Sequence, residues 1–128
     1  MRLLTGVLAA AFLLPLGCGK EEGKKQVGPL KDWIVGDWVR QDDGIAWNFN
    51  AGMEFITTGR LPIGGGYGVE EPDKIKIHVS GAGAITASMQ LGFPVDSNQN
   101  MYGTFQVKDD EMRPFGPNAK ASVVFKKQ

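Results

Sequence analysis

The chain has one cysteine and one histidine among its 128 residues. A single thiol has no partner for an internal disulfide. No apolar run is long enough for a membrane span: the run from Leu3 to Leu16 covers 14 residues, whereas a helix crossing the hydrocarbon core needs about 20. Neither sign of charge dominates. Lys plus Arg and Asp plus Glu number 14 each, and without Arg2 the balance is 13 basic against 14 acidic, a formal charge of −1. A nucleic-acid surface needs a clear surplus of Lys and Arg on one face, so that class of partner is excluded. Long runs of helix formers are also missing, while glycine occurs 18 times and proline 7 times. Such a composition points to strands and turns.

Met1 and Arg2, the apolar run to Leu16, and the small Gly17 just before Cys18 have the order of a secretory signal. Leu14-Pro15-Leu16-Gly17-Cys18 resembles the lipobox of bacterial lipoproteins, with Pro15 where leucine is usual. The resemblance implies removal of residues 1–17 and acylation of Cys18. Two or three acyl chains anchor a protein stably where one gives only marginal binding. In the family's sorting rule an aspartate after the cysteine retains the protein in the inner membrane. Gly19 is not aspartate, which implies the outer membrane, facing the periplasm. Residues 18–29 then form the lipidated cysteine and a flexible tether, since "GKEEGKKQVGP" mixes charges and lacks apolar periodicity.

Residues 30–128 are one domain with room for a single core. Ile45, Trp47 and Phe49 alternate with Ala46, Asn48 and Asn50, and Ile75, Ile77 and Val79 alternate with Lys74, Lys76 and His78, the period of two of half-buried strands. The same pattern is expected over residues 85–91, with Ile85, Ala87, Met89 and Leu91 inward, and over 101–108 and 121–126. Segments 34–40, 53–59 and 66–71 complete eight strands. The turn signals between them are short and favour antiparallel neighbours. The expected fold is all-β, a small up-and-down barrel, with a two-sheet β-sandwich as the alternative.

Gly36-Asp37-Trp38, followed by Asp43-Gly44, a Trp-x-Phe strand and Asn50-Ala51-Gly52, resembles the opening of lipocalin-like and related calycin domains. That resemblance implies that Trp38 closes one end of the barrel, with a basic residue over its ring; Lys126 and Lys127 are the candidates. It also implies a small apolar ligand. Lipocalins carry a helix beside the barrel, which is not expected here.

His78 lies between lysines on an outer face, and no nucleophile–base–orienter set can be built around it. The acids cluster in turns, where carboxylates are usually solvated, so no enzyme activity and no cofactor are expected. Asp96 to Asn100 imitates part of a calcium loop, but Met101 replaces its glycine and Val107 its bidentate glutamate, so no metal is expected. The glycine run at residues 61–68 lacks the following helix that a phosphate cradle needs; it reads as a bent strand entry.

Two uses of such a barrel remain, a carrier of a small apolar ligand and an interaction module for an envelope protein, with a hydrolase as a remote third. Trp38, Trp47, Phe49 and Phe105 would line the barrel. Their bulk favours a packed interior, since an eight-stranded barrel is only just wide enough for side chains to fill. Phe93, Tyr102 and Phe115, with Pro94 and Pro117, lie near loops or on the outer face and are the candidate partner-facing residues.

Overall fold

The computed structural model describes residues 24–59 and 62–128. The signal segment 1–17, Cys18 and the first part of the tether lie outside the described residues.

Alternation of apolar and polar side chains produces eight strands: β1 (Gly36–Arg40), β2 (Ala46–Phe49), β3 (Glu54–Thr57), β4 (Gly64–Glu70), β5 (Lys74–Ser80), β6 (Asn100–Lys108), β7 (Glu111–Phe115) and β8 (Phe125–Lys127). Each pairs antiparallel with its neighbour in sequence, and β1 pairs with β8, so the sheet is a closed up-and-down barrel. The two-sheet sandwich is not formed. A short helix, α1 (Leu30–Trp33), sits at one end, here called the base, and α2 (Ala82–Leu91) lies between β5 and β6 at the other, the crown.

The number of strands is as expected, but one is exchanged. Residues 85–91 are helical, which corrects the expected sixth strand. Ala82, Ala84, Ala87, Met89, Gln90 and Leu91 are good helix formers, and Gly92 takes a left-handed conformation (φ 80°) that ends the helix. Burial falls on Ala84, Ala87 and Leu91, the helical spacing, whereas Ile85 and Met89 are exposed. The missing strand is β7, whose first residue Glu111 reads with Asp109 and Asp110 as an acidic turn. Pro114 is tolerated because β8 pairs only with Glu111 and Met112, so the proline lies beyond that ladder. β4 begins at Gly64, earlier than expected, and a Cβ at Gly65 would overlap the carbonyl oxygen of His78.

The base is closed by Leu30, Ile34 and Trp38, all fully buried. The Trp38 indole donates to Ile34 O (2.9 Å) and the Trp33 indole to Asp109 O (2.6 Å). Glu71 accepts from the backbone N–H groups of Leu30 and Lys31 (2.9 and 3.1 Å). Even Gln26, in the expected tether, donates its backbone N–H to Asp109. Of the two candidate lysines, Lys127 is the one over Trp38: its ammonium lies 5.6 Å from that ring and 5.0 Å from the Trp33 ring, and donates to Val35 O. Burial lowers the Lys127 pKa. Lys126 instead pairs with Glu111 (3.2 Å).

The crown is fastened by Arg40, which reaches from β1 to Asp42 with two donors (2.6 and 3.0 Å) and to Gln90 of α2 (2.9 Å). Lys120 adds a backbone bond to Leu91 O and a side-chain bond to Met89 O.

Two outcomes follow from these closures. Leu30→Ala is expected to cost about 2–5 kcal/mol, the scale for emptying a packed apolar site, measured by urea unfolding. The Arg40 hydrogen bond holds the Asp42 carboxyl below its ordinary range. Its contribution is therefore present above the unfolded value near pH 4 and lost as pH falls through the lower native value. Between pH 7 and pH 3 the parent should lose more stability than Asp42→Asn; equal losses in parallel unfolding curves would contradict the role of this pair.

Candidate binding groove on the barrel wall

The barrel lumen is filled by rings. Trp47 stacks on Phe55 (centroids 4.9 Å apart, planes 3° from parallel) and meets Phe105 and Phe125 edge-on at 5.6 and 5.3 Å. Phe49 packs edge-on against Tyr67 at 5.1 Å, and Phe105 against Phe93 at 5.8 Å. Trp38, Trp47, Phe49 and Phe105, expected to line the barrel, are all buried in this core.

A groove of about 490 Å³ opens instead on the outer wall, at the junction of β6 and β7. Its origin is a mismatch of strand length. β7 pairs with β6 from Lys108–Glu111 up to Thr104–Phe115 and stops, because Gly116 (φ 138°) and Pro117 turn the chain away. Nearer the crown, Val95 bridges to Met101 on the same strand. Between these two contacts, among the described residues, no strand lies on the side of β6 away from β5 at Tyr102 and Gly103, and the groove fills that interval.

Tyr102, two residues before Thr104 on β6, and Phe115, opposite Thr104 on β7, project outward at 61% and 47% exposure. Tyr102 is held by stacking on His78 (4.6 Å, 13° between planes), and His78 Nε2 lies 3.2 Å from Asn100 Oδ1. The Lys74 ammonium lies 4.7 Å from the Phe115 ring centre and pairs with Asp73 at 3.0 Å. Glu70, also at the groove, pairs with Lys76 at 3.1 Å. The charges on this wall are thus matched.

All five residues of the expected outer patch, Phe93, Pro94, Tyr102, Phe115 and Pro117, border this one groove. Phe93 is the correction among them. It is buried, because Gly103 has no Cβ and lets the ring lie directly on the strand; a Cβ there would overlap the ring atoms. Phe93 forms part of the floor, so the exposed aromatic surface belongs to Tyr102 and Phe115. The polar lining residues Glu70, Lys74, Thr104 and Asn118 were not anticipated. The signal available for the floor was Gly103 itself, a glycine inside a strand, which often marks close approach of another group.

The other polar features have local explanations. Asp96 accepts from the N–H groups of Asn98 and Asn100 (2.8 and 3.0 Å), and these bonds, that from Asn100 first, keep its carboxyl below the ordinary range. The would-be calcium loop is an Asx turn. Among the described residues no three His, Cys, Asp or Glu side chains converge as a metal site would require. A second hollow, of about 550 Å³, lies near the base between Asp73, Arg113 and Glu111 and is lined mainly by charged and amide side chains.

Comparison with protein-family models, curated proteins and solved structures finds no match for this chain.

The Gly103–Phe93 contact makes a direct prediction. Gly103→Ala should destabilise the protein by about 1–3 kcal/mol, the scale of overpacking, and the double change with Phe93→Ala should cost less than the sum of the single effects. Thermal unfolding of the four proteins of this cycle reads the coupling; strict additivity would mean that the ring does not rest on the glycine.

Proposed function

We propose that this protein is a lipid-anchored, non-enzymatic binding module of the bacterial cell envelope. It is held to the membrane through an acylated Cys18 and engages its partner through the groove between Tyr102 and Phe115. The observation that carries the binding part of this reading is the contrast between a lumen filled by stacked rings and an outer wall that leaves two aromatic rings exposed beside a cleft. A carrier of a small apolar ligand would need the space that Trp47, Phe55 and Phe105 occupy, so the filled interior favours the interaction module.

The non-enzymatic part is supported by the engagement of the acid and base side chains. His78 is stacked against Tyr102. Glu111 is held by Lys126 and Arg113, and Asp73 by Lys74 and Gln106, and in both cases these bonds keep the carboxyl below its ordinary range. A general acid or base needs its pKa moved toward the working pH instead. The anchoring part rests on the lipobox-like order of residues 14–18 and on Gly19, which favours the outer membrane with the domain facing the periplasm.

Cell fractionation in a bacterium with two membranes tests the anchor. The parent chain is expected to sediment with membranes and resist a salt wash, and Cys18→Ala to appear in the soluble fraction. A Cys18→Ala protein that still sediments after the wash would overturn acylation as the anchor.

A further inference from the structure

We infer that the groove between Tyr102 and Phe115 is a saccharide-binding cleft, which takes a neutral pyranose ring against the open face of Tyr102. This rests on the reading of the groove as the working surface.

The arrangement of Tyr102 is the first reason. His78, directly opposite on β5, covers one face of the ring in a near-parallel stack, while the other side of the residue borders the groove beside Thr104. The stack fixes the ring before any ligand arrives, so little rotamer freedom is left to lose on binding. A preset flat aromatic face suits a partner with a flat C–H surface, and one face of a pyranose ring is such a surface. Phe115 is its diagonal neighbour across the Thr104 pair, with the Lys74 ammonium over its own ring, so the open face of Tyr102 is the stacking surface and Phe115 borders it.

The polar lining is the second reason. Among the described residues neither the Thr104 hydroxyl nor the Asn118 amide makes a side-chain hydrogen bond, and both border the groove. Each offers donors and acceptors. A purely apolar ligand would leave these groups unpaired on closing over them, which is costly; a ligand bearing several hydroxyls satisfies them. Charge is the third reason. Lys74 is matched by Asp73 and Glu70 by Lys76, so the cleft has no uncompensated charge to attract a phosphate, a nucleotide or an anionic headgroup, and a neutral ligand is the complementary one.

The test uses the full chain in detergent micelles, labelled with nitrogen-15 and titrated to about 10 mM, a range that detects weak millimolar binding. The probes are a β-1,4-linked N-acetylglucosamine tetramer and, separately, a proline decamer. The saccharide is expected to give saturable shifts at Tyr102, Gly103, Thr104 and Asn118. Tyr102→Ala should weaken it by about tenfold or more, as loss of one stacked aromatic partner does, with an unchanged melting temperature. Thr104→Val should weaken it less. Saturable shifts with the proline decamer alone would overturn the saccharide assignment while keeping the groove as the working surface. Saccharide shifts centred elsewhere, or no shift with either probe, would overturn the assignment. The lipid anchor is tested separately by the fractionation of Cys18→Ala, so failure of the one is not failure of the other.

Discussion

The stacked pair of Trp47 and Phe55, edged by Phe105 and Phe125, is the contact on which the rest of the molecule depends. With strands this short, the barrel has little height in which to hide apolar surface, and aromatic rings bury the most area per residue. Filling the lumen with them secures a core in a domain of this size. The same solution leaves little of the interior free for a guest, and the aromatic-edged cleft lies on the wall instead. The groove at β6 and β7 is the outward counterpart of that ring-filled core.

Closure at the base and the crown solves a second problem, that of covering the ends of a filled cylinder. At the base, Leu30, Ile34 and Trp38 seal the core, and Lys127 lies across the indoles of Trp33 and Trp38 while donating to a carbonyl. At the crown the seal is α2, whose small inward residues Ala84 and Ala87 let the helix approach the rings, with Arg40 and Lys120 as clasps. One end is thus closed by large side chains from a short helix and the residues that follow it, and the other by small side chains on a longer helix.

Much of this was legible in the sequence where the period of two was carried by large residues. Trp47, Phe49, Ile75, Ile77, Phe105 and Val107 alternate strictly, and all are buried as expected. The pattern failed where alanine stood in for an apolar residue. Ala87 satisfies a two-residue period and a helical one equally well, and helix propensity together with the Gly92 stop decided between them. β7 was hidden for the opposite reason, since Arg113 and Pro114 look like loop and only the partner strand shows that they face opposite sides of the wall. At the groove, the aromatic and proline residues were visible as misplaced apolar groups. Their polar companions Lys74, Glu70 and Asn118 come from distant strands and loops and have no local signature. The burial of Phe93 depends on Gly103, a pairing that only the folded register brings together.

The short closing strand β8 also bears on how the molecule is made. Lys127 and Val35 meet across 92 positions of sequence, and the ladders that complete the ring engage only three residues of β8 on one side and two on the other. Such distant contacts contribute nothing until the intervening strands are already placed, because the entropy of the large loop must first be overcome. Ring closure is therefore a late event in folding. Until then Trp38 lacks the lysine that lies across it, and the first strand has one edge and one aromatic ring open to whatever else is nearby. A chain of this design depends on the speed of its own meander to keep that edge from pairing with a neighbouring molecule.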